Sequence, residues 1–166
     1  MSKIFKMLAL TLFSASLMFF FACSDDDDGD GNGTGPTNGD QYMTADISGD
    51  AEESSFEATN FQYASQGLAT MAAGFEGQLG SSSNISITSA DLGSADGTLD
   101  IATGQVTVGY TEYAGATDFT AYTATSGEVE ITSNTADVIE GTFNFEGTGT
   151  DGGSISVTNG KFKIQK

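Results

Sequence analysis

The sequence predicts an all-β protein, an antiparallel β-sandwich or barrel of about nine strands, preceded by a signal peptide and a disordered acidic tether. Three observations carry this. From Tyr42 onward apolar residues recur at every second position, the period of a strand with one buried face. Gly, Asn and Asp interrupt these runs at intervals of about 8 to 15 residues. No segment sustains the helical spacing that a crossover between parallel strands requires.

The elements follow in order. Lys3 and Lys6 precede "MLALTLFSASLMFFFA", residues 7 to 22, which carry no charge. These 16 residues suit the apolar region of a signal peptide and fall short of the roughly 20 needed to span a bilayer as a helix. The positive start sets the orientation, with the remainder exported. Residues 1–22 are therefore expected to be a signal peptide. Residues 23–41 begin "CSDDDDGDGNGTG" and hold a single Pro and no aliphatic side chain. Nothing there can build a core, so the segment is expected to be a disordered tether. Eighteen such residues (24–41) reach about 25 Å root-mean-square, and charge repulsion extends them further.

Residues 42–166 are expected to form the β-domain. Ile85 and Ile87 alternate with Ser86 and Thr88. Val106, Val108 and Tyr110 alternate with Thr107 and Gly109, and Val129 and Ile131 with Glu128, Glu130 and Thr132. "GLATMAAGF" (67–75) is short and bounded by Gly, and reads as a strand. In "SISVTNGKFKIQ" (154–165), Asn159-Gly160 lies between two alternating runs, the signature of a two-residue hairpin. Such a turn pairs Val157 with Phe162 and Ile155 with Ile164, with Phe143 and Phe145 of "GTFNFEG" against them. Burying six such side chains contributes on the order of 10 kcal/mol before conformational entropy is charged.

Composition excludes several classes of function. The chain has 23 Asp plus Glu against 5 Lys, with no Arg and no His. Nucleic acid is repelled by this balance and is excluded as a partner. Without His there is no Ser-His-Asp or Cys-His system and no histidine-ligated metal. One Cys permits neither an internal disulfide nor a zinc cluster. Catalytic residues, cofactors and metal ligands are accordingly all expected to be none, and an enzyme here would have to run on carboxylates, Tyr, Ser/Thr or Lys.

The junction "FFAC" resembles the lipobox of bacterial lipoproteins, with Ala22 and Cys23 at its two most informative positions and Phe20 where Leu is usual. The resemblance implies that Cys23 is acylated and becomes the N-terminus, giving two lipid attachments and a stable hold on the membrane. Ser24 and Asp25 to Asp28 look like the acidic export signal of Bacteroidota surface lipoproteins, which implies a lipid-anchored protein on the outer membrane, facing the exterior. Asp26, Asp28, Asp30 and Gly31 also match the start of a calcium loop. The twelfth position, where an EF-hand has Glu, is Thr37, leaving at most weak association with divalent ions. "YMTADISG", "SGEVEITS", "GTFNFEG" and "SVTNGKF" resemble a Bacteroidota family of small lipoproteins with a β-rich C-terminal domain of unknown function. The chain departs from that pattern at "SGDAEESSFEA", where a tight Gly turn is usual.

Two groups of side chains suggest sites. Tyr110, Tyr113 and Tyr122 could line a sugar-binding face with Glu112 and Asp118 as acceptors, or have rings in the core and wet hydroxyls. Glu128 and Glu130 share an outward strand face about 7 Å apart, a spacing that would suit a carboxylate hydrolase but reads first as a solvated strand face, since nothing nearby would raise one pKa. The sequence thus favours a non-enzymatic binding or structural lipoprotein whose ligand is a glycan or another protein at the cell surface. Carbohydrate- or small-ligand binding is the alternative, and a carboxylate-based hydrolase a further one.

Overall fold

The computed structural model describes residues 41–166 except 67, 79–81, 94–95 and 116–117. The expected signal segment 1–22, the expected acylation site Cys23 and the aspartates Asp26, Asp28 and Asp30 lie outside the described residues. The described residues contain ten strands and no helix: β1 (Tyr42–Gly49), β2 (Ser55–Glu57), β3 (Asn60–Gln66), β4 (Ala69–Phe75), β5 (Asn84–Ser89), β6 (Gly97–Asp100), β7 (Thr107–Gly115), β8 (Asp118–Asn134), β9 (Val138–Gly149) and β10 (Ser154–Gln165). All pairings are antiparallel, in the order β2-β1-β10-β9-β8-β7-β5-β4-β3, with β6 paired to the far half of β8. The all-β, antiparallel expectation holds, and "GLATMAAGF" supplies β4.

The first and last strands of this order, β2 and β3, are separated in the chain only by Ala58 and Thr59. Ala58 N–H donates to the Met43 carbonyl of β1, and Thr59 N–H donates to the Phe75 carbonyl of β4. One bent stretch of chain therefore leaves β1 and joins β4, which forces the sheet to curl toward a barrel. At the bend β4 closes directly on β1: a Cβ at Gly74 would stand 2.7 Å from Ala58 Cβ and 3.0 Å from Met43 Cβ. The inward faces enclose one core that includes Met43, Phe56, Ile85, Ile87, Tyr110, Val129, Phe143, Phe145, Phe162 and Ile164.

The Asn159-Gly160 hairpin does not form. β10 runs unbroken from Ser154 to Gln165, between β1 on one side and β9 on the other. A bulge falls where the turn was expected, with register shifts between Val157 and Gly160 against β9 and between Thr44 and Asp46 against β1. Both readings explain why the buried positions change from odd (Ile155, Val157) to even (Phe162, Ile164), because one extra residue also flips strand parity. The residue chemistry is that of a turn: Asn159 sits at φ 53°, a conformation that Asn tolerates better than most residues. A turn here would unzip the far half of β10 from both neighbours, so nonlocal pairing overrides the local signal. Val157 does pair with Phe145, and all six expected core side chains are buried.

The five connections β1–β2, β4–β5, β7–β8, β9–β10 and β3–β4 sort by register. Gly49 pairs with Ile155, Tyr122 with Gly149, Thr111 with Asn84 and Phe75 with Asn84. The first four connections therefore converge on one end of the barrel. The β3–β4 turn and the start of β1 at Tyr42, which pairs with Lys163, lie at the other. Every lysine of the described residues (Lys161, Lys163 and Lys166) falls in the last stretch of chain toward that second end, where Lys163 bonds Glu140 at 3.0 Å.

The bulge makes opposite demands on its two residues. A Cβ at Gly160 would lie 2.4 Å from the Phe143 carbonyl oxygen and 2.5 Å from its ring. Gly160→Ala is expected to cost about 1–3 kcal/mol as overpacking, and Asn159→Gly less than about 1 kcal/mol, since Gly also accepts positive φ. Urea unfolding of both variants measures the contrast, and equal losses would contradict the bulge.

Candidate functional site

The four converging connections bring acidic side chains together around a pair of buried tyrosines. Tyr110 on β7 and Tyr122 on β8 are direct cross-strand partners. Their rings stack at 6.0 Å and 18°, and Phe56 meets Tyr110 edge-on at 6.3 Å. Both tyrosine rings are buried, so neither can present a face to a sugar. Their hydroxyls are not wet either. Tyr110 donates to Glu53 Oε2 at 2.8 Å and Tyr122 to Glu112 Oε1 at 3.0 Å.

The β1–β2 connection, residues 50–54, crosses this end of the barrel as a strap. Asp50 N–H donates to the Ser154 carbonyl, and Asp50 Oδ2 accepts from Ser154 N–H, both at 2.8 Å. Glu52 N–H donates to Glu112 Oε2 at 3.0 Å. Glu53 Oε1 accepts from Ser83 Oγ at 3.0 Å. Glu112, only 8% exposed, is thus held through both oxygens by neutral donors. Each hydrogen bond to an ionised acceptor contributes about 1.5–3 kcal/mol, which offsets part of the cost of burying the charge.

Beside the strap a cleft of about 120 Å³ is lined by Glu52, Glu53, Glu112, Tyr113, Asp118 and Phe119, with Ala114 and Thr120. Tyr113 and Phe119 pair at 5.6 Å, and Phe119 is 54% exposed. The structure thus keeps Tyr113, Glu112 and Asp118 of the predicted group together and withdraws Tyr110 and Tyr122 into the core. Glu128 and Glu130 are exposed on the outer face of β8, and Asn144 Nδ2 reaches Glu128 at 3.4 Å. Among the described residues no cluster of acidic side chains has the geometry of a metal site.

Sequence reasoning missed Glu53, Glu76 and Ser83. Glu53 and its partners are 57 and 30 positions apart, and no local pattern marks an acid in a loop as one that folds back. The one signal available was the departure of "SGDAEESSFEA" from a tight turn, since a longer connection can cross the barrel end.

Burial chiefly, and then the Glu112 carboxylate, push the Tyr122 hydroxyl up to about 12. Burial, followed by Glu53, raises Tyr110 further. Burial also raises Glu76, opposed by the Glu57 N–H and reinforced by the charge of Glu53. These features define an acidic, strap-crossed β-domain. No protein family, curated protein or solved structure matches the chain.

A tyrosine whose pKa is raised by folding stabilises the fold below the unfolded value and loses that contribution as pH rises through the folded one. Stability should therefore fall from about pH 10 upward, and Tyr122 should release its proton only near 12. Tyr122→Phe leaves Glu112 Oε1 short of a donor and should cost about 1–3 kcal/mol. Tyrosinate absorbance followed alongside circular dichroism checks both, and a Tyr122→Phe protein of unchanged stability would contradict them.

Proposed function

We propose that the protein is a lipoprotein acylated at Cys23, which holds its β-domain on the exterior of the outer membrane and acts there by binding or as a structural element. The observation that carries this reading is the junction "FFAC" followed at once by an acidic tether. It supplies an export signal, an attachment atom and a spacer in the order that a surface lipoprotein needs. The domain supports the non-enzymatic part. Glu53 and Glu112 each engage both carboxylate oxygens with donors of the fold itself, so they serve the strap and are not free acids facing a substrate. The resemblance to a Bacteroidota small-lipoprotein family belongs to the same reading.

Small-ligand binding has one observation in its favour, the cleft beside Tyr113 and Phe119. Its volume admits a group of a few heavy atoms, and its exposed aromatic lip can stack on a ligand. A full sugar-binding platform would need the rings that Tyr110 and Tyr122 keep in the core.

Cys23→Ser should move the protein from the membrane fraction to the soluble one, and metabolic labelling with a fatty acid should be lost with it. A mutant that stays membrane-bound and labelled contradicts the anchor. Protease added to intact cells should remove the wild-type domain, whereas protection would assign it to the periplasmic face. For the cleft, Phe119→Ala should weaken any hit from a glycan or metabolite panel by about tenfold, roughly the 1.4 kcal/mol expected of one stacking contact.

A further inference from the structure

Leu68, at 91%, is the most exposed large apolar side chain of the described residues, and it lies at the end of the barrel where the chain enters. Residues 1–40 lead into Gln41, whose Oε1 accepts from Gln165 N–H at 2.9 Å, and Tyr42 opens β1 opposite Lys163. Beyond Gln165, Lys166 Nζ stands 5.8 Å from the centroid of the Tyr63 ring on β3. From Tyr63 the strand runs on to Gln66 before the chain turns into β4 at Ala69, about 10 Å further at about 3.3 Å per residue. Leu68 thus projects beyond the level of Tyr63, with Tyr42, 41% exposed, at the same end.

The charges set this end apart. In a chain of formal charge −18, residues 58–75, which include the whole β3–β4 hairpin, carry no charge at all. Around them the three lysines of the described residues nearly balance Asp91, Asp96, Asp137 and Glu140. At the strap end Asp50, Glu52, Glu53, Glu112 and Asp118 have no lysine among them. The exposed Phe119 is there, beside Asp118 and lining the cleft with Glu52. Carrying that ring into an apolar medium would draw carboxylates in with it, at a cost one ring does not offset. The hairpin tip can enter such a medium without desolvating an ion.

We propose that the tip of the uncharged β3–β4 hairpin, through Leu68, rests in the phospholipid surface to which the protein is anchored, with Tyr42 at headgroup level and the strap end turned away. The contact rests on the acylation of Cys23 proposed above, and goes beyond it by fixing which end of the domain meets lipid. A tether that reaches about 25 Å makes the contact intramolecular, at an effective concentration in the millimolar range. One leucine side chain then suffices, although it would not hold an unanchored protein on a vesicle. The 12 residues of β10 set the strap end about 40 Å away along the strand. That is several times the Debye length of about 8 Å, so its carboxylates are screened from the surface, whereas the reverse orientation would press them against it. The cleft beside Tyr113 and Phe119 is left open to the solvent side.

The chain has no Trp, so Leu68→Trp and Phe119→Trp each place a single fluorophore, one at either end. The acylated full chain is reconstituted on phosphatidylcholine vesicles with acyl chains brominated near the headgroup, and emission is compared with that on unbrominated vesicles. The reporter at position 68 should be quenched and blue-shifted, and the one at position 119 unchanged. Because tryptophan itself favours the interface, the native side chain is read as well. In phosphatidylcholine nanodiscs carrying a nitroxide lipid, the Leu68 methyl resonances of the wild-type chain should be lost to broadening while those of Leu99, on β6, keep their intensity. Protein that does not float with the vesicles overturns the anchor and the contact together. Protein that floats but shows equal quenching at the two positions, none at position 68, or intact Leu68 resonances overturns the contact and leaves the anchor standing. Should either variant fail to fold, the wild-type resonances decide.

Discussion

The structure depends on a topological constraint: the two strands at the ends of the sheet order are neighbours in the chain. Between the last residue of β2 and the first of β3 there are only Ala58 and Thr59, which span at most about 7 Å of extended chain. A flat sheet of this many strands would hold its edges tens of ångströms apart at about 4.8 Å per strand. The sheet must therefore curl until β1 and β4 lie on either side of one bent stretch. Curling turns one face of every strand inward, which makes the period-two pattern a barrel core. It also brings the two edge strands, β2 and β3, together at a single bend.

Closure determines what the barrel end must accommodate. Tyr110 and Tyr122 face inward near that end, each with a hydroxyl that needs a partner. Carboxylates meet that need: Glu53 from the strap and Glu112 from β7. In a chain with formal charge −18 and no Arg, the buried acids cannot rely on ion pairs, and the observed solution is neutral donors. Hydroxyls and backbone amides satisfy the oxygens without adding a cation.

Much of the fold is legible in the sequence, because alternation and turn residues are local properties. β5, β7 and the far half of β8 can be read directly from Ile85/Ile87, Val108/Tyr110 and Val129/Ile131. β10 shows where local reading ends. Asn159-Gly160 supplies positive φ and a missing Cβ, chemistry shared by a hairpin turn and a bulge, and only strands β1 and β9 on either flank decide between them. The site is less legible still. Tyr113, Glu112 and Asp118 sit close in sequence and stay together in the structure. Glu53 and Ser83 meet only because two separate connections, β1–β2 and β4–β5, converge on one end, and that convergence is a property of the curled sheet.

The position of β10 has a consequence for how the molecule is made. It lies between β1 and β9, so the first strand of the domain waits for the last before it gains its longest neighbour. A chain that emerges from its amino end, whether from a ribosome or through a membrane, cannot close the barrel until Gln165 has appeared. Until then β1 and β9 expose apolar faces and unpaired edges with nothing between them. Contacts of such long sequence separation are formed slowly and leave partly built chains prone to stick to one another. A polypeptide whose β1 finds its main partner only in β10 stays threadable until that distant strand has emerged.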